Sequence, residues 1–338
     1  MLRPLITSLA LLWPLGALAA DNADRVNAVL DAHILPGFSA FTAQTEALKG
    51  AATADCTATS AELRTAYNKA FDAWLGVSHL RFGPTEAEDR AFALAFWPDT
   101  KGFTPKSLGK LIADEDPAVN DLAEFSHVSI AARGLYALEF MLYDPAFAER
   151  GTAAYRCSLI RAIAGDIDAN ADAILDDWQN HYAAFLRVPG GESPYRTEEE
   201  AVQELYKAML AGLQFTSDTR LGRPLGTFDK PRPMRAEARR SERALRNVEQ
   251  SLEALKQLAL LLAEGHTSVS VSLEAAFATA QQNAAQLDDP TFAKVSTPQG
   301  RLRVEILQQS IDHIREVAAA ELGPFLGVDA GFNALDGD

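Results

Sequence analysis

Tyr136 and Glu139 stand three residues apart in the run SHVSIAARGLYALEFMLYD, Ser126 to Asp144. Val128, Ala131, Leu135, Leu138 and Leu142 recur there at spacings of three and four, which draws one apolar helical stripe. The spacing predicts a helix over 126–144, with Glu139 on or beside the apolar face and Tyr136 sharing that face. An isolated carboxylate facing a core is costly, so it must be paired, protonated or metal-bound. Phenol and carboxylate oxygens suit hard cations, so Glu139 and Tyr136 could ligate iron or another divalent metal. The alternative is structural: Glu139 forms a buried ion pair with Arg81 or Arg133, and Tyr136 is a packed ring with a hydrogen-bonded hydroxyl.

A second set of candidates lies in two Pro-punctuated loops, VSHLRFGPTEAED and FWPDT. His79, Arg81, Glu86, Trp97 and Asp99 mix charged and aromatic groups there, and such loops often carry function. Their structural alternative is a plug of Phe82, Phe96 and Trp97 at a bundle end, with Arg81 paired to a nearby acid. A third set is the basic segment Arg220 to Arg246, where nine Lys and Arg face only Asp229, Glu237 and Glu242. That segment either docks an anionic partner or ligand, or is a solvated, internally paired face. The six histidines form no HExxH, and neither GxSxG nor a Gly-rich phosphate loop after a strand occurs. Without a CxxCH, covalent c-type haem is excluded, and with 4 methionines a Met-rich copper site is not indicated.

The elements that must position these residues read as helices throughout. Ser60 caps a helix carrying Leu63, Tyr67, Ala70, Phe71, Trp74 and Leu75. Thr85 is expected to cap a short helix that Pro98 ends, and Pro36-Gly37 to kink or break the first mature helix. Long helices are expected over Tyr155–Phe185, Glu198–Phe215, Arg235–Glu264, Leu273–Leu287 and Leu302–Leu322, with an irregular Gly- and Pro-rich loop over 216–233. The fold class is all-α, and this many helices call for two packed four-helix-bundle-like halves, split near Gly190-Gly191.

Residues 1–20 read as a signal peptide: Arg3, an apolar run from Leu5 to Leu18, and the small-x-small site Ala17-Leu18-Ala19. The apolar run is short for a membrane span. The mature chain is then expected in the periplasm, with residues 21–190 as an N-terminal helical bundle and 191–338 as a C-terminal one. The formal charge of −15 argues against a nucleic-acid partner, which needs a basic surface. In an oxidising compartment Cys56 and Cys157 are expected to form a long-range disulfide; the alternative is two separate buried thiols.

With these residues in view, the chain resembles the imelysin family. The segments that carry the resemblance are VNAVLDAHILPGF, FDAWLGVSHLRFGP, FWPD, the Ser126–Asp144 run, RLGRPLGTFDKPRP and the terminal GFNALDGD. The resemblance spans nearly the whole mature chain and implies a single imelysin-like domain of two similar four-helix bundles, periplasmic or associated with the outer membrane. It implies a GxHxxE motif proposed to bind metal, which falls on Gly134, Tyr136 and Glu139. Tyr136 replaces the family's histidine and removes the nitrogen ligand; oxygen ligation of iron remains. The function so implied is binding and handling of iron, haem or another metal, with a periplasmic or outer-membrane protein as a partner. The alternatives are a metallopeptidase and a non-catalytic interaction module.

Overall fold

The structure is a computed structural model and describes residues 21–328. The expected signal peptide and the terminal GFNALDGD stretch lie outside them. Among the described residues the chain is helical, and the only β-type pairing is an isolated bridge between Thr227 and Lys230. No helix of the described residues is long and apolar enough to cross a membrane.

The first long helix begins at Asp21, whose carboxylate accepts from Asp24 N at 2.8 Å. It runs through Asn22–Val29, a π turn at Leu30–Ile34, and Leu35–Ala54. Pro36 does not break it. The wide turn has already displaced the i→i−4 ladder where the proline lacks an N–H. Helix Ala61–Val77 packs beside it, capped by Ser60, which accepts from Leu63 N at 3.3 Å. Its buried face is Leu63, Tyr67, Ala70, Phe71, Trp74, Leu75 and Val77, which the sequence spacing anticipates. The long helix Ala153–Asp177 lies against Leu35–Ala54 and continues through a second π turn, Trp178–Tyr182.

Helix Glu198–Gln214 opens the rest of the chain, followed by Ala244–Leu262, Thr267–Ala285 and Pro298–Val317. Ala244–Leu262 packs on both Ala61–Val77 and Glu198–Gln214, and the buried side chains form one continuous apolar cluster.

Four further sequence expectations need correction. The Ser126–Asp144 helix starts only at Gly134; before it lie turns and a short 3₁₀ segment, Ile130–Ala132. The chain breaks there because Arg133 is extended and its guanidinium is drawn to Asp166 (2.6 and 2.9 Å) and Ser126 O (2.6 Å). Thr85 does not cap a helix; it is buried with its hydroxyl unpartnered, and the short helix is Arg90–Leu94. The Gly- and Pro-rich stretch is irregular only from Gly226 on; before that it stays helical through a π turn, Phe215–Leu221, and Gly222–Leu225. The Arg235–Glu264 helix starts at Ala244, because Glu237 and Ser241 turn inward to long-range partners.

The disulfide forms as expected. Cys56 and Cys157, 101 residues apart, are joined with their Cα atoms 5.1 Å apart. It ties the loop after the first long helix to the start of Ala153–Asp177. A cross-link closing so long a loop restricts the unfolded chain strongly. Cys56→Ser with Cys157→Ser is expected to cost about 2–4 kcal/mol, measured by urea unfolding beside the oxidised protein. Equal midpoints would refute the assignment of a stabilising role.

Candidate ligand site

The end of Ala61–Val77, the end of Glu198–Gln214 and the middle of Ala244–Leu262 leave a gap that side chains do not fill. A cavity of about 290 Å³ occupies it. Trp74, Trp97 and Phe215 supply its aromatic walls, and His79, Arg220 and Glu237 its buried polar ones. Trp97 stacks on Tyr136 with centroids 6.2 Å apart and meets Phe215 edge-on at 5.9 Å.

The polar groups are ordered by one another. His33 and His79 share a hydrogen bond between their Nε2 atoms at 3.0 Å, and His33 Nδ1 lies 2.9 Å from Gln257 Oε1. Gln257 Nε2 donates to Ala32 O at 2.9 Å, which fixes its amide orientation. His33 therefore donates through Nδ1 and accepts through Nε2. His79 must then donate through Nε2, which leaves its Nδ1 as an acceptor without a partner among the described residues. Burial pushes His33 and His79 below the ordinary histidine range, with Arg220 and His33 adding to the effect at His79. Both rings are neutral at pH 7.

Across the cavity, the Tyr136 hydroxyl donates to Glu237 Oε1, and Arg220 Nε donates to Glu237 Oε2 at 2.8 Å. Arg220 also donates to Thr216 Oγ1 at 3.2 Å and stacks over Phe215. Arg220 and Glu237 are 5% and 1% exposed, so this is a buried ion pair with satisfied hydrogen bonds. Burial, then the negative charge of Glu237, raises the Tyr136 phenol well above its usual range. It keeps its proton.

Glu139 faces a different partner. Its Oε1 accepts from Ser241 N (2.9 Å) and Ser241 Oγ (2.8 Å), and its Oε2 lies 3.9 Å from Arg240. Neither Arg81 nor Arg133 is its counterion: Arg81 pairs with Glu86 at the surface and Arg133 with Asp166. Helix Gly134–Tyr143 thus uses two side chains one turn apart, Tyr136 and Glu139, to hold the turn that carries Glu237 and Ser241.

Burial raises the Glu139 carboxyl despite the opposing Ser241 bonds and Arg240. A carboxyl raised in the folded state favours folding below its unfolded value of about 4.5 and loses that contribution as pH rises. Glu139→Gln keeps an acceptor for Ser241 without the charge. It is expected to match or exceed the wild type in stability at pH 7, with the difference closing below about pH 4.5. Thermal melts of both proteins across that range test it; a Gln variant that is worse at pH 7 and recovers nothing in acid refutes it.

His79, Arg81, Trp97 and Tyr136 line one cavity. Glu86 is held at its outer edge by Arg81. Asp99 accepts from the backbone N–H groups of Lys101 (3.3 Å), Phe103 (2.9 Å) and Thr104 (2.8 Å), so it starts the helix Phe103–Asp114. Gly134, at φ +75°, lets the backbone of Ala93 and Leu94 pass directly over it. Sequence reasoning missed His33 and Ser241 as site residues, and held Arg220 and Glu237 only as members of the basic segment. The one usable signal was an acid, Glu237, set inside an arginine-rich segment.

Among the described residues no three or more His, Cys, Asp or Glu side chains gather closely enough to hold a metal ion. Tyr136 and Glu139 as arranged do not fit a resident metal. The phenol is protonated and donating, and Glu139 Oε1 already accepts twice.

This chain belongs to the imelysin family: the family's profile (Peptidase_M75, Imelysin) matches residues 34–318. Iron-regulated protein A of Synechococcus elongatus is 22% identical over 281 residues, covering 78% of this chain and 74% of that protein. Among solved structures, an imelysin-like protein from Psychrobacter arcticum superimposes with a TM-score of 0.76 at 18% identity, over 93% of this chain and 100% of that one. A protein described as an iron-regulated protein A precursor, from Parabacteroides distasonis, gives 0.71 at 12% identity, over 88% and 94%. The helical bundle fold is therefore that of the family.

Proposed function

We propose that this chain is a periplasmic binding protein that takes iron, or another metal, as a small organic complex in the cavity between His79 and Trp97. The observation that carries the reading is the cavity itself: aromatic walls with the neutral His79 ring and a buried Arg220–Glu237 pair. Few, convergent polar groups in an apolar concavity are the usual form of a small-ligand site. At about 290 Å³ it suits a compact chelate better than a whole haem, since ligand pockets run from roughly 300 to 1,000 Å³. The iron-regulated relatives support the cargo, and the signal-like residues 1–20 support the compartment. Tyr136 in place of the family's motif histidine favours carriage over peptide hydrolysis.

The test is metal analysis of protein purified without chelators, followed by titration with ferric citrate and with haem, read by the fluorescence of Trp74 and Trp97. Saturable quenching by ferric citrate is expected, with binding about ten-fold weaker in His79→Ala for one lost acceptor contact. Protein that carries no metal and is quenched by neither probe overturns the reading.

A further inference from the structure

Seven of the nine basic residues of the segment sort into two groups; Lys230 and Arg232 belong to neither. Arg220, Arg240, Arg243 and Arg246 each pair with an acid: Glu237, Asp144 and, for the last two, Asp72. Arg223, Arg235 and Arg239 have no acidic partner among the described residues, and all three line one cleft of about 220 Å³. Arg240 lines it too, stacked over Phe140 at 3.6 Å. The cleft lies on the far side of Trp97 and Tyr136 from the His79 cavity.

Two carboxylates also line the cleft, Asp99 and Glu139. Neither forms an ion pair with Arg223, Arg235 or Arg239. Asp99 is spent on three backbone N–H groups, and Glu139 on Ser241, with only a long contact to Arg240. Arg223 is half-buried against the Trp97 ring, and its Nε is fully buried without a hydrogen-bond partner. Burial lowers the pKa of Arg223, with Arg235 repelling it further, and burial, then Arg240, lowers Arg239 against the opposing pull of Glu139 and Asp144. Guanidinium groups gathered with two of them, Arg223 and Arg239, partly dehydrated and none held in an ion pair are unfavourable. An anion placed among them would remove that cost, and the planar forks of Arg match oxyanions bidentately.

We propose that this cleft is an oxyanion site that binds a small ligand carrying two or more negative charges, through Arg223, Arg235 and Arg239. The shared chemistry is that of a phosphate or a polycarboxylate. The site is separate from the metal-complex cavity, with which it shares Trp97 and Tyr136, and the probes that test it carry no metal.

Isothermal titration of the full mature protein with inorganic phosphate and with citrate, at low and at physiological salt, tests the proposal. Saturable binding of at least one probe is expected, surviving physiological salt. Phosphate alone points to a phosphate-bearing ligand, citrate alone to a polycarboxylate, and either supports the site. Arg223→Gln and Arg239→Gln should each weaken it about ten-fold, the scale of one charged hydrogen bond. Lys110→Gln, a remote surface charge, and His79→Ala, in the other cavity, should leave it unchanged. Circular dichroism melts confirm that each variant is folded. Absence of saturable binding at millimolar probe, or equal loss in the Lys110 variant and the two arginine variants, overturns the proposal.

Discussion

Gly134→Ala is expected to destabilise the protein by at least about 3 kcal/mol, or to prevent folding. Two costs add. The residue sits at φ +75°, a conformation that costs a non-glycine residue roughly 1–3 kcal/mol. A Cβ there would also lie under 3.0 Å from both Ala93 O and Leu94 O. Both are backbone atoms, which cannot swing aside as a flexible side chain would. Relief requires shifting helix Gly134–Tyr143, and with it the bonds from Tyr136 to Glu237 and from Glu139 to Ser241. Gly165→Ala is the control. Its Cβ would meet only Leu122 Cδ1, at 3.6 Å, inside helix Ala153–Asp177, where alanine gains roughly 0.5–1 kcal/mol over glycine. Denaturant unfolding of the two variants should therefore move in opposite directions. A Gly134→Ala protein within about 1 kcal/mol of wild type would show that the backbone yields and that the close approach does not require glycine. The backbone geometry thus calls for glycine at position 134, whatever the site binds.

Arg220→Ala is expected to cost about 3–5 kcal/mol, the typical penalty for leaving one member of a buried ion pair without its partner. Glu237 is 1% exposed and would retain only the Tyr136 hydroxyl. Arg220→Met combined with Glu237→Gln removes both charges while filling similar volume, and should recover most of the loss. The double-mutant comparison separates the charge left behind from the lost packing of Arg220 on Phe215. If the double variant is as unstable as Arg220→Ala, packing dominates and the ion pair is not what holds this turn.

The helical class was legible because it rests on local spacing. The Ser60 cap and the Leu63–Leu75 stripe depend on residues within a few turns, and the structure places them where the pattern does. The misplaced helix starts have a common cause in distant partners. Arg133 is extended because Asp166 draws it, and the turns before Ala244 exist because Glu237 and Ser241 reach Arg220, Tyr136 and Glu139. Spacing along the chain carries no record of such pairs. The π turns were equally invisible. A five-residue bulge leaves composition untouched and only shifts the face that follows, so 178–182 read as part of one straight helix. At the site, Tyr136 and Glu139 stood out because polar groups on an apolar stripe are conspicuous. Their partners did not. Glu237 and Ser241 look like ordinary polar residues in a charged segment, and His33 like a surface histidine, until tertiary structure buries them.

Trp97 and Tyr136 form a partition common to both cavities. An occupant on one side that displaces this stacked pair would couple the free energies of filling the two compartments. Thermodynamic linkage makes the coupling reciprocal: whatever factor an occupant on one side imposes on affinity at the other is returned unchanged in the opposite direction. If both cavities are filled as proposed, a solute in one can tune binding in the other without touching its occupant.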